Sequence, residues 1–440
     1  MHRWLRWSLA WALLGSTWGC GGESTTPAPT TPAEPPPTAA PPEPPAPARR
    51  AGAELPADLP NGLMITYSAF RAGASGQNDQ PAPALAEILV RRGGQWQTQA
   101  IEDPASNVFH KALVYQAPGA APGILTLGGS GAAVKLWRRE GGAWRAQTLW
   151  ERDVGGRFSR MRDAEVGDLY GDGQPAIAVA THDQGVVAVI RPGASGFTVQ
   201  ELDHQANTFV HEIELGDLDR DGTLEVYATP SEPNTLEGGA QHGTVVRYVP
   251  RTNSGRTVVA DLGNRHAKEI WVGDVDGDGR DELYVAVEAL TEGSTIREPV
   301  EIRRYEHDTP PAGGAVIARI QDRFTRFLTV GDLDGDGRRE MVAASFSSGL
   351  WLLRPGRDPR GEWSIENIDR ASGGFEHASL IADLDADGVG ELYVASDEQG
   401  ELRRYVWING RPRREVIARR EVPRSRMTWN LTPVPVSVVQ

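Results

Sequence analysis

Residues 273–286 read GDVDGDGRDELYVA, and the organisation of the whole chain follows from this stretch. Four further segments repeat it: GDLYGDGQPAIAVA at 167–180, GDLDRDGTLEVYAT at 216–229, GDLDGDGRREMVAA at 331–344 and ADLDADGVGELYVA at 382–395. They recur at intervals of roughly 50 to 58 residues, the length of a propeller blade with variable loops rather than of a helical repeat. Around each Asp-rich turn the chain alternates short β-branched or aromatic runs with Gly, Pro and Asp breaks. In the unit at Asp274 these runs are KEIWVGD, ELYVAVE, VEIRRYE from Val300 and AVIARIQ from Ala315, which is the pattern of strands joined by tight turns.

Four antiparallel strands per unit, repeated about an axis, predict an all-β fold: a seven-bladed β-propeller of four-stranded antiparallel blades over residues 57–440. Two units lack the Asp turn. Residues 107–150 keep the strand order, with 116–122 replacing the acidic loop. The N-terminal unit, GLMITYSAF, LAEILVRRG and WQTQAIE, supplies only three strands. The missing one stands at the other end, where SRMTWNLTPVPV from Ser425 resembles SRMRDAEVGD from Ser159. The C-terminal strand is therefore expected to complete the first blade and close the ring, leaving no exposed sheet edge.

The turn itself is D-x-D-x-D-G-x-x-E. Carboxylates at alternate positions of a tight bend aim their oxygens at one centre, and a shell of several flexible oxygen ligands suits calcium better than the stricter octahedron of magnesium. An EF-hand shares the first half of this pattern but needs Glu at position twelve and flanking helices. Position twelve here is Ala228, Val285, Ala343 and Val394, and the flanks are strands.

These turns resemble the FG-GAP/VCBS repeat family, the calcium-loop propellers of integrin α subunits and many bacterial surface proteins, over residues 160–401. The resemblance implies four calcium sites. Their ligands are Asp217, Asp219, Asp221 and Glu225; Asp274, Asp276, Asp278 and Glu282; Asp332, Asp334, Asp336 and Glu340; and Asp383, Asp385, Asp387 and Glu391. The backbone carbonyls of Thr223, Arg280, Arg338 and Val389 complete the shells. The turn at Asp168 has Tyr170 and Ala176 at ligand positions and keeps only Asp168 and Asp172, so a weaker fifth site or an empty one is expected there.

A second set of residues emerges when the blades are aligned on the first Asp. Six residues before it stand His110, Arg162, His211, Lys268, Arg326 and His377, with Thr428 in the closing strand. In an antiparallel meander the Asp turns share one face, and the opposite face receives these positions and the long loops 71–83, 230–242 and 289–299. A ring of cations and imidazoles at the channel mouth suggests a site for an anionic glycan or protein ligand, with the histidines adding charge below about pH 6.5. The competing expectation is that each basic residue pairs with a neighbouring acid, such as Asp163, Glu212 or Glu269. The arginines of 403–426 read as the solvated side of the last blade.

Net charge is −14, with the acids gathered in the turns, which argues against nucleic acid as a partner. The single cysteine, Cys20, excludes an intramolecular disulfide. It ends a segment with Arg3 and Arg6 and a short apolar run, 7–14, so residues 1–20 resemble a bacterial lipoprotein signal with Cys20 as the lipidated residue. Thr17 and Trp18 depart from the usual residues of that signal. Residues 21–56, rich in Pro, Ala, Thr and Glu, read as a disordered tether. Together these predict export across the inner membrane and a lipid anchor in the cell envelope. The functional reading is a calcium-binding scaffold or ligand-binding module, probed against a polysaccharide lyase or sugar-dehydratase-like enzyme on the same frame. No nucleophile elbow, zinc motif or phosphate loop is evident.

Overall fold

The computed structural model describes residues 54–71, 80–129, 131–156, 159–194, 196–233, 240–420 and 426–440. Cys20, the export signal and nearly all of the tether lie outside the described residues, as do parts of the loops 71–83 and 230–242. Seven four-stranded antiparallel sheets follow one another along the chain and form the blades of a β-propeller. Blade 1 holds 61–103 with 426–435; blades 2 to 7 hold 109–151, 161–204, 209–261, 267–320, 325–369 and 379–419. Blade 5 carries an additional hairpin, Leu290–Glu292 with Thr295–Glu298, in the loop between its second and third strands.

The second strand of each repeat unit explains the ring. Glu282–Val287 is buried at every position, as are Ala176–Thr181, Glu225–Ser231, Glu340–Ser345 and Glu391–Ser396. A strand buried on both faces reads as a continuous apolar run. Its side chains still alternate: Leu283, Val285 and Val287 pack with blade 4, whereas Tyr284 and Ala286 pack with blade 6. Every blade thus buries its faces against two neighbours, and the hydrophobic core is a set of seven interblade layers. Fourth strands such as Ala143–Glu151 lie at the rim and are largely exposed.

The layer between blades 7 and 1 shows that the ring is closed: Leu63, Ile65 and Tyr67 pack with Tyr393, Ala395 and Leu402. Closure uses the strand predicted for it. Arg426–Pro435 pairs antiparallel with Asn61–Arg71, in a register that sets Gly62 opposite Val434 and Met64 opposite Thr432. Beyond it, the short helix Val436–Val439 buries its valines against blades 1 and 2. Thr428 fastens the same strand to blade 7, its peptide N–H and hydroxyl donating to Asp397 at 2.8 and 2.7 Å.

Removing residues 426–440 strips blade 1 of its inner strand and exposes apolar surface on both neighbours. The truncated protein is expected to aggregate or to melt well below the full chain in scanning calorimetry. A truncated form with the full-length melting temperature would refute closure by this strand.

Candidate functional site

The Asp turns and the channel mouth form two separate sites. In each turn the first Asp caps the bend. Asp274 accepts the N–H groups of Gly277 and Gly279 at 2.7 and 2.9 Å, as Asp332 does those of Gly335 and Gly337, while Asp217 accepts from Asp221 and Gly222 and Asp383 from Asp387 and Gly388. The sixth position must be glycine because the backbone there is left-handed, with φ between 81° and 91° in the four complete loops. Carboxylate oxygens of Asp217, Asp219 and Asp221 come within 4.8 Å of one another, as do those of Asp332, Asp334 and Asp336, of Asp383, Asp385 and Asp387, and of Asp274, Asp276 and Glu282. Asp278 stands outside its group and accepts the N–H of Arg280 at 2.9 Å. These four clusters of hard oxygen donors can hold a metal ion.

The ninth-position acids behave differently from the turn aspartates. Glu225, Glu282, Glu340 and Glu391 are buried, and burial pushes the first three up to about 7 and raises the fourth. Each faces an arginine from the third strand of its own blade. Arg247 lies 2.9 Å from Glu225 and 3.1 Å from Asp219, and Arg304 lies 3.0 Å from Glu282 and 2.7 Å from Asp276. Arg354 lies 3.4 Å from Glu340, and Arg404 2.6 Å from Glu391. The carboxyl groups of each full loop outnumber the arginines paired with them, even where Arg251 adds a second pair at Asp221, 3.2 Å away, and such an excess of acid favours a cation. Sequence reasoning missed these arginines, although Arg247 and Arg354 each follow an apolar pair and Arg304 and Arg404 each follow a second arginine in the third strand. It also misplaced Arg403 and Arg404, which are buried by pairing with Glu401, Asp369 and Glu391 rather than solvated.

The degenerate turn is arranged differently. Arg191, the matching third-strand arginine of blade 3, stacks 3.7 Å from the Tyr170 ring centroid and pairs with Asp172 at 2.5 Å. With two carboxylates instead of four, the arginine alone neutralises much of the loop, and no metal-holding group forms there among the described residues.

At the mouth, the aligned basic positions coincide with a backbone irregularity. In blade 3, Ala180 pairs with Asp163 and Thr181 with Met161, so Arg162 is an extra residue on the inner strand. Blade 6 repeats this at Arg326. In blades 2, 4 and 5 the pairs His110–Lys111, His211–Glu212 and Lys268–Glu269 each oppose one partner residue. In blade 1 the extra residue is Trp429. Bulges re-aim side chains, and are found where a site needs them. The ring alignment is therefore one residue off in the closing strand: Trp429, not Thr428, holds the position.

Arg162, His211, Lys268 and Arg326 line a common cavity of about 530 Å³ at this mouth, together with Trp429 and the loops between second and third strands. His110 and His377 do not. The His110 ring lies 2.5 Å from the Met161 carbonyl and edge-on to Trp429, while His377 contacts Ser345 and Ser372 at 2.7 and 2.8 Å. Burial holds all three ring histidines well below their ordinary value, His377 at about 4, so they stay neutral near pH 6.5. The expected gain of charge on mild acidification does not apply to them.

The basic residues are paired, but not with the acids expected. Arg162 and Arg326 flank Glu376 at 3.8 and 3.9 Å, and Arg326 and Lys268 approach Glu288 at 3.1 and 3.7 Å. Asp163 and Glu269 instead accept the Ile213 and Leu328 peptide N–H groups of the next blade, at 2.8 and 2.7 Å. Deeper between the inner strands, Lys111 pairs with Asp163 at 2.9 Å and with Glu165, and reaches Glu212 at 4.0 Å. Burial raises Glu212, Glu214 and Glu269. The channel thus passes from a basic mouth to an interior lined with carboxyl groups around one lysine.

Comparison with known proteins agrees with this architecture. Residues 332–411 match the FG-GAP-like repeat, a span that includes the loops at Asp332 and Asp383. A structure described as a candidate 6-phosphogluconolactonase of Bacteroides fragilis superposes with a TM-score of 0.52 at 11% identity, covering 85% of this chain and 98% of that one. A counterpart from Bacteroides uniformis gives 0.50 at 10% identity, covering 84% and 99%. At such identities the likeness is one of fold. No curated protein matches the chain.

Proposed function

Because an FG-GAP-like repeat occupies residues 332–411 of a seven-bladed propeller, we propose that the protein is a calcium-stabilised binding module of the cell envelope. Its ligand is an anionic glycan or protein group taken at the channel mouth. The observation that carries the reading is the mouth cavity itself. Four cationic or imidazole side chains converge there from four blades, each on a bulge, in a chain whose overall charge is −14. Ring cations engaged by Glu288 and Glu376 are fixed in place rather than poised to react, which favours binding over the lyase or dehydratase alternative. The test uses polygalacturonate and an acidic peptide as probes. Replacing Arg162 and Arg326 together with Gln is expected to weaken binding of whichever probe binds by more than about tenfold, close to 1.4 kcal/mol. Wild-type affinity should fall with added salt. Lys268 is drawn down to about 8 by burial and Arg326, reinforced by Arg162 and opposed by Glu288 and Glu376. Its charge is present below that pH and lost above it, so anion affinity should decline as the pH rises through about 8. Salt-independent binding, or a double variant equal to wild type, defeats the reading.

Calcium is the cation best suited to the four complete turns, with Asp, Asp, Asp and Glu at each and an affinity on the order of 0.1–1 mM. Chelation is expected to lower the melting temperature, and calcium at ten times its Kd to stabilise by about 1.4 kcal/mol per site. Asp276→Ala should reduce the bound ions, counted by metal analysis, from four to three and leave mouth binding intact. Finding no metal at saturating calcium would end this part of the proposal.

Envelope attachment runs through Cys20 and the tether of residues 21–56. Cys20→Ala should move the protein from the membrane fraction to the soluble one. Unchanged membrane association would rule out the lipid anchor.

A further inference from the structure

The mouth cavity carries unmet hydrogen-bonding needs of two opposite kinds. Trp429 Nε1 and Arg162 Nε, which can only donate, make no hydrogen bond among the described residues. Glu288 Oε1, which can only accept when ionised, makes none either. It lies 3.1 Å from Arg326 Nε, but without the alignment of a hydrogen bond. Although burial opposes ionisation of Glu288, Arg326, Lys268 and His266 outweigh it and hold the carboxyl well below its usual range. His211 is only 3% exposed, is neutral, and has an unpartnered Nε2 that can donate or accept according to tautomer. Buried polar groups left unpaired are costly, and a ligand that satisfies them gains accordingly.

A simple anion answers the donors and leaves Glu288 unanswered. Hydroxyl groups both donate and accept, and answer both kinds. The cavity also presents a flat apolar surface. Phe375, at 39% exposure, stands on its lining, held edge-on by Phe324 at 5.7 Å, which in turn stacks on Phe346 at 4.5 Å. Arg326 sits 4.3 Å over Phe324 and 5.2 Å from Phe375, placing positive charge beside that surface. A volume of about 530 Å³ has room for one or two sugar rings.

We infer that the mouth cavity takes the end of an anionic saccharide: a hydroxylated ring whose acidic group sits among Arg162, Lys268 and Arg326, whose hydroxyls answer Glu288 and His211, and one face of which rests on Phe375. This rests on the mouth being the anion site and narrows its ligand to a sugar bearing a carboxylate or a phosphate.

The test is calorimetric titration of the full chain with glucuronate, glucose 6-phosphate, glucose, benzoate and an acidic peptide. At least one of the two anionic sugars is expected to bind about tenfold or more tighter than glucose, benzoate and the peptide. Whichever of the two binds tighter identifies the acid. Phe375→Ala, a substitution at an exposed side chain, should weaken that sugar by about tenfold and leave the melting temperature unchanged. His211→Phe should weaken it too, by removing the imidazole. Benzoate or the peptide binding as tightly as the sugars, or a Phe375→Ala protein that binds them as wild type does, overturns the saccharide inference and leaves the anion site standing. Glucose matching both anionic sugars, or no probe binding at all, overturns the two together.

Discussion

The pairing of the last strand with the first is the interaction on which everything else in this ring depends. Each blade is buried on both faces only if it has two neighbours, and blades 1 and 7 have two only because Arg426–Pro435 is held against Asn61–Arg71. The same strand delivers Trp429 to the cavity wall and ties Asp397 down through Thr428. Stability and recognition are thereby joined at one seam. Contacts of such long sequence separation form late and against a large loop-closure entropy, so they lend the folded ring cooperativity more than speed.

Charge is sorted along the channel axis. The turn face concentrates aspartates and steadies each group with a third-strand arginine, the mouth concentrates guanidinium and imidazole groups, and the acid-lined zone around Lys111 lies between them. Sorting of this kind lets a protein of net negative charge offer a positive pocket, since the field at a cleft is set by the nearest groups rather than by the total.

Much of this was legible in the sequence, and the boundary of legibility has a physical cause. The Asp turns, the strand runs and the closing strand are local patterns, and each appears where its pattern stood. The basic ring was found by alignment, yet two of its members, His110 and His377, turned out to be held by the Met161 carbonyl and by the Ser345 carbonyl and Ser372 hydroxyl, away from the cavity, and Thr428 gave way to Trp429. One inserted residue in the inner strands of blades 1 to 6 shifts the side chains, and such a bulge leaves no mark in hydrophobic periodicity. Partners were harder still. Glu288 and Glu376 come from blades other than those of the arginines they hold, so no spacing rule links them. The third-strand arginines were visible as letters, but only their pairing with Glu225, Glu282, Glu340 and Glu391 reveals what they do.

The repeated bulge has a consequence for how such a molecule changes over time. Because the extra residue stands outside the ladder of paired backbone groups, its side chain can be exchanged without altering the register of its sheet. Histidine, arginine, lysine and tryptophan already occupy equivalent places in this one chain. The inner ring is thus a set of interchangeable letters on a fixed dial, and a propeller of this build can be given a different ligand while its core, its turns and its seam are left as they are.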